Sequence, residues 1–293
     1  MLLFNILGFS IIAGSIYALI AIGFSTIYRT VKFFHFAHGV VYAVGAYIAY
    51  TFTITLGVNS IVSFFIAVAA AGVVGVGIDR LVYYPLRKFK ASNLVYLIAS
   101  FGVFIFIQNF IQLLYGAQIL SIRTGEVKVG HSILGAIITD IQILILIVSL
   151  ILSFGLWAYI KYTKLGKAMR AVADDPVAAS VVAISSEKTI AAAFAIGSML
   201  AGAAGALIAY ETNLEPTMGM NAILKGIIAS VVGGIGSIPG AMLGGYFLGL
   251  AENLGIWKIQ SGWKDCISFV ILIIFLLLRP GGIMNVPIHK ERL

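Results

Sequence analysis

His35 and His38 stand three residues apart, a spacing that would bring both imidazoles to one side of a helix. Such a pair could open a metal site or an acid–base dyad. A metal site needs further ligands, and no Cys, Asp or Glu lies near either residue in the sequence. A dyad needs a nucleophile or metal set to act on, and none can be found. The single cysteine, Cys266, makes neither a disulfide nor a cysteine metal site. One Gly-Lys pair exists, Gly166-Lys167, and Ala168 follows it. A phosphate-cradling loop of the Gly-x4-Gly-Lys-Ser/Thr kind is therefore missing, and the chain carries no nucleotide site of its own. Catalytic, metal and cofactor sites are all read as none.

Lys225 is unusual because it interrupts an apolar run. Its surroundings follow from composition. The residues AVILMFWYC make up 61% of the 293, charged residues 10%, and mean hydropathy is +1.07. A soluble domain carries about 25% charged residues, so there is too little polar side chain here to cover a water-facing surface. The net charge of +8 is spread between apolar runs and forms no nucleic-acid stripe. The reading is all-α, a polytopic transmembrane helical bundle.

Apolar runs of roughly 20 residues match a hydrocarbon core about 30 Å thick. They fall at 6–27, 36–56, 60–78, 94–115, 141–160 and 189–210. The stretch Ala222–Leu250 is too long for one span and is interrupted by Gly233-Gly234-Ile235-Gly236-Ser237-Ile238-Pro239-Gly240, so two shorter segments, 222–232 and 239–253, are expected there. A last segment ends at Leu278. The six runs, the two half-length segments and the last one are taken as about eight membrane segments in one transmembrane domain, 1–293. The opening MLLFNILGF lacks a positive n-region and is not read as a cleaved signal peptide.

Loop charge orients the chain. With the C-terminus inside, fourteen Lys and Arg fall in inner loops: Arg29 and Lys32; Arg80, Arg87, Lys88 and Lys90; Lys161, Lys164, Lys167, Arg170 and Lys188; Arg279, Lys290 and Arg292. Four fall outside: Arg123, Lys128, Lys258 and Lys264. This positive-inside bias places the N-terminus outside and the C-terminus inside. Lys225 is then either a pathway charge or one snorkelling to an interface. Glu211 and Glu215 belong to an outer loop, either as a receiving surface for an external protein or as solvated charges. His38 and His35 become packed or pore-facing polar groups near the membrane surface.

The longest polar connector, 161–188, is cytoplasmic in this topology. Asp174 or Asp175 can cap a short helix with Pro176 in its first turn, and Ala178 and Ala179 favour it. A solvated loop that merely sets topology is the alternative. Small residues recur at four-residue spacing in the rows Gly236/Gly240/Gly244, Gly245/Gly249 and Gly197/Ala201/Gly205. Such rows serve close helix packing, or faces that slide during gating.

The connector resembles the ATPase-docking loop of ABC importer permeases, specifically the branched-chain amino acid permease family of the LivH type. Gly166, Ala168, Arg170, Ala171, Ala173, Asp175 and Ala179 match that loop, and Ala183 stands where the family usually has Gly. The run Gly14–Gly23 resembles the family's first span. His35-Phe36-Ala37-His38-Gly39 is similar to its Asn-Phe-Ala-His-Gly-Glu segment, with His35 in place of Asn and Val40 in place of the acid. Asp79-Arg80 with Tyr84-Pro85-Leu86-Arg87 resembles another of its loops, and Gly233 to Ala241 nearly copies a family signature.

The resemblance implies an ABC importer permease fold and one non-catalytic subunit of an ATP-driven importer for branched-chain or other hydrophobic amino acids. Its implied home is the cytoplasmic membrane of a prokaryote. Its implied partners are a second homologous permease, two cytoplasmic ABC ATPases that bind ATP and Mg2+, an extracytoplasmic solute-binding protein and membrane lipid, with no nucleic acid. Coupling to the ATPases is expected at Gly166, Arg170, Ala171, Asp174, Asp175, Pro176, Ala178 and Ala179. Candidates for the pathway or its gating are His38, Gly39, Lys225, Gly234, Gly236, Pro239 and Gly240. The alternatives are a urea or short-amide permease of the same family and a secondary transporter, which would show functional carboxylates within its spans.

Overall fold

The computed structural model describes residues 2–123, 130–133 and 136–284; Lys128, Lys290 and Arg292, among the loop charges above, lie outside the described residues. Backbone N–H and C=O groups find no water in lipid, so the apolar runs close their hydrogen bonds internally as helices. In chain order these are α1 (Leu2–Val31), α2 (Ala37–Tyr50), α3 (Ser60–Ile78), α4 (Tyr84–Lys88), α5 (Asn93–Tyr115), α6 (Asp140–Tyr162), α7 (Lys164–Asp174), α8 (Pro176–Val181), α9 (Ser186–Glu211), α10 (Met218–Gly233), α11 (Ile238–Gly255) and α12 (Lys264–Leu278). A small antiparallel hairpin, β1 (His131–Ile133) and β2 (Ala136–Ile138), precedes α6.

Among the described residues, seven helices are long and apolar enough to cross a membrane, and α10 with α11 meets the same test as a pair bent by 116°. The break falls at 234–237, as the glycines and proline required. One boundary differs from expectation. The third run does not stop at Ile78: a π-helical turn, Asp79–Tyr83, carries it into α4, so the helix extends over Ser60–Lys88. Pro85 sits in the first turn of α4, where a missing N–H costs little.

Contacts group the chain into two interleaved units, one of Met1–Ser25, Val127–Ser153 and Leu224–Leu293, the other of Thr26–Glu126 and Phe154–Ile223. In the second unit α9 packs against both α2 and α3. Backbones approach closely there: a Cβ on Gly45 would meet the Gly202 backbone, and one on Gly205 would meet the Tyr42 carbonyl. Dispersion between small-residue faces holds helices together where lipid offers no hydrophobic drive.

In the first unit the rows on α11 divide between two neighbours. Gly245 and Gly249 abut Ala18 and Gly14 of α1, whereas Gly240 and Gly244 abut Gly233 and Ala229 of α10. Gly236 is not part of a helical row. It lies in the α10–α11 turn with φ +84°, next to Gly234 at φ +113°. Both conformations suit a residue without Cβ. Large side chains at Leu113, Ile151 and Leu277 point outward from α5, α6 and α12, as lipid-facing surface should.

Candidate functional site

The connector contains two helices rather than the single one expected. Thr163 caps α7 by accepting the Gly166 N–H at 3.0 Å. Gly166 is demanded by space, because a Cβ there would collide with the backbone of Ile160 at the end of α6. Gly166, Met169, Val172 and Ala173 form the buried stripe of α7. This helical spacing is legible in the sequence itself. Arg170 turns back and donates to the Ile160 and Lys161 carbonyls at 3.1 and 3.3 Å, satisfying acceptors that the end of α6 leaves open. Asp174 lies 3.9 Å from Arg29 at the end of α1. Beside that pair, burial and then Arg29 lower the pKa of the Lys32 amine.

Between the two candidate caps, the structure selects Asp175. Its carboxylate accepts from Val177 N at 2.8 Å and Ala178 N at 3.0 Å, with Pro176 opening α8. The Asp175 N–H bonds back to the Ala171 carbonyl at 3.0 Å. Only Ala179 of α8 is buried. Val177 is 74% exposed, Val181 82% and the following Val182 67%, an apolar surface on an otherwise charged connector. The helix ends in a Schellman arrangement: Ile184 N donates to Ala179 O and Ala183 N to Ser180 O. Ala183, at φ +60°, occupies the left-handed position that favours glycine, which accounts for Gly at this place in the resembling loop.

A second group joins α3, α4 and α9. Arg87 donates to Asp79 at 2.8 Å and, through Nε and Nη2, to Glu187 at 3.2 and 2.7 Å. Nearby, His35 Nδ1 lies 2.9 Å from the Tyr83 hydroxyl, and its ring stands 6.0 Å from that of His38. Both imidazoles are buried. Burial, followed by the neighbouring His38, holds His35 well below the ordinary histidine range, so its ring is neutral at pH 7. Among the described residues, no group of three or more His, Cys, Asp or Glu could hold a metal ion. Gly39 marks a close crossing: a Cβ there would strike Gly219 O and Ile223 on α10.

In the other unit, Lys225 does not snorkel. Its Nζ is 2.6 Å from Glu252, 2.7 Å from Ser268 and 2.8 Å from Asp265. Glu252 is fully buried and also accepts from the Tyr17 hydroxyl at 2.9 Å and from Ser268. Four helices (α1, α10, α11 and α12) meet at this ion cluster. Its partners lie far apart in sequence, and no local spacing signals them.

The glycine signature makes the α10–α11 turn. Ser237 caps α11 by accepting Gly240 N at 3.1 Å, and Pro239 follows in its first turn. Ile283 and Met284, after α12, donate to the Val232 and Gly233 carbonyls at 2.8 and 3.1 Å. At the end of α9, Glu211 pairs with Arg123 at 2.6 Å. The expected coupling residues thus come together on one connector. Of the pathway candidates, His38 and Gly39 belong to one unit, and Lys225, Gly234, Gly236, Pro239 and Gly240 to the other.

Residues 6–276 match the family described as branched-chain amino acid transport system / permease component. The chain is 38% identical to the high-affinity branched-chain amino acid transport system permease protein LivH of Escherichia coli (strain K12), over 94% of this chain and 92% of that one. It is 39% identical to the corresponding protein BraD of Pseudomonas aeruginosa, over 94% and 93%. Among solved structures it resembles PsaBC from Streptococcus pneumoniae in complex with Fab, with a TM-score of 0.50 at 12% identity over 94% of this chain and 91% of that one. At that identity the likeness concerns the fold alone.

Proposed function

The chain belongs to the branched-chain amino acid transport system permease family, and on that premise we propose that it is one of two permease subunits of an ATP-driven importer for branched-chain amino acids. Its two interleaved units act as one permease domain. A second, related permease completes the pathway, two cytoplasmic ATPases bind ATP and Mg2+, and an external binding protein delivers the solute.

The observation that carries this reading is α8. A six-residue helix fixed at both ends by Asp175 and the Schellman turn presents Val177, Val181 and Val182 to solvent. Exposed valines on a rigid, capped helix suit an apolar groove on a partner protein. Force applied to α8 then has two routes into the spans. One runs through α7 and Arg170 to the end of α6, and the other through Asp174 to Arg29 of α1.

The N-outside, C-inside orientation has geometric support. Ile283 and Met284 bond to the end of α10, while Gly255 at the end of α11 abuts Ile267 at the start of α12. The glycine turn and the end of α12 therefore lie at the same end of this unit. Termini on opposite sides require an odd number of traverses. Seven spans plus α10 and α11, each crossing once, make nine traverses and meet that condition, and with them the glycine turn lies on the cytoplasmic side with Arg279.

The test is cross-linking. Cys266 is exposed and is first replaced by serine. V181C is then introduced in the assembled transporter. An adduct to the ATPase through Val181→Cys, with none from an outer-loop cysteine at Glu215, supports the reading. An adduct only from the outer-loop position would overturn it.

A further inference from the structure

We propose that Glu187 and Arg87 form the joint through which the connector acts on the membrane helices, with Arg87 as the positioning residue. The inference rests on α8 being the ATPase-docking element and assigns a role to the Asp79…Arg87 stretch.

The connector and α9 move together by construction. The Ser186 hydroxyl donates to the carbonyl of Pro176, the first residue of α8, at 3.3 Å. Ser185 caps α9, and α9 packs on α8, on α3 and on the π-helical turn. Glu187 stands in the first turn of α9, one residue beyond that tie.

Arg87 meets Glu187 with Nε and Nη2 and reaches Asp79 with Nη1. A guanidinium can serve two carboxylates in fixed directions at once, which a lysine ammonium does not do with the same geometry. The two partners differ in access to water. The Asp79 side chain is 0% exposed and that of Glu187 39%. Separating Arg87 from Asp79 strands a buried charge, so that pair stays closed. Glu187 can exchange Arg87 for water at low cost.

The joint therefore opens on one side only. Arg87 remains with α3 while the first turn of α9, which precedes the 194–202 stretch packed on α3, follows the connector in engaging or releasing it. A contact made in one conformation and lost in the other is what coupling requires.

The experiment uses the whole transporter in vesicles: both permeases, the ATPases and the loaded binding protein. Glu187→Ala leaves the Arg87–Asp79 pair intact, so the chain still folds and assembles. ATP hydrolysis and solute uptake are measured together. Hydrolysis is expected to persist while solute moved per ATP falls about tenfold, with Glu187→Asp recovering part of the loss. An unchanged ratio of solute to ATP overturns the joint. So does a proportional fall in both activities, which marks a merely structural residue. Failure of the docking reading shows in a different place, as wild-type permease that assembles with ATPase yet gives no adduct through α8; it removes the ground of the joint as well.

Discussion

Replacing Lys225 by methionine keeps an unbranched stem as far as Cε and removes the ammonium. The Glu252 carboxylate, fully buried, then loses its only close cation among the described residues. It retains two donors, the Tyr17 and Ser268 hydroxyls. Hydrogen bonds between membrane helices contribute only about 0.6 kcal/mol each, whereas removing one partner of a buried ion pair costs about 3–5 kcal/mol. The charge term therefore dominates. With both hydroxyls still in place, a loss near 3 kcal/mol is expected. Asp265 is 62% exposed, and its pair with Lys225 contributes no more than about 1 kcal/mol. Unfolding of the purified protein in mixed micelles, followed by circular dichroism, gives the cost of Lys225→Met, of Glu252→Gln and of the two together. The double variant should recover roughly 1–3 kcal/mol relative to the sum of the singles. Strictly additive costs would show that the pair does not hold α10 and α11 through its charges.

Four further outcomes follow from other positions. His35 is held neutral, with a folded pKa below the 6.5 of the free side chain. The unfolded chain then binds the extra proton first, and stability falls as pH drops below 6.5, at about 1.4 kcal/mol per pH unit until the folded pKa is reached. The thermal midpoint of wild type should show this slope and that of His35→Asn should lose it. Ala183→Gly relieves a left-handed alanine and should stabilise the end of α8 by about 0.5–1 kcal/mol, read as several-fold slower hydrogen exchange at Ile184. Gly245→Val should cost more than about 2 kcal/mol through collision with Ala18. Gly77→Ala, with nothing within 4 Å of its added carbon, should be neutral or slightly stabilising in the same thermal assay.

Most of the helix pattern can be read from the chain because a span has one requirement, about 20 apolar residues, and that requirement is local. The break at 234–237 was legible for the same reason, as was a cap at 174–175 followed by Pro176. The row through Gly236 is no helical face: four-residue spacing is a helical signal only inside a helix, and this glycine serves the turn. The apolar run ends at Ile78 but the helix does not, because Asp79 and Arg87 neutralise each other within it. The ion clusters were hidden by distance along the chain. Glu252 lies 27 residues from Lys225, and Glu187 lies 100 from Arg87. Nothing in either neighbourhood names the other.

In the function proposed above, the permease receives its motor through α8. Uptake of radiolabelled leucine into vesicles tests it most directly, comparing the purified permease pair alone with the pair plus ATPases, binding protein and ATP. Accumulation against a gradient should require every component and stop without ATP. Uphill uptake by the permease pair alone would contradict the account.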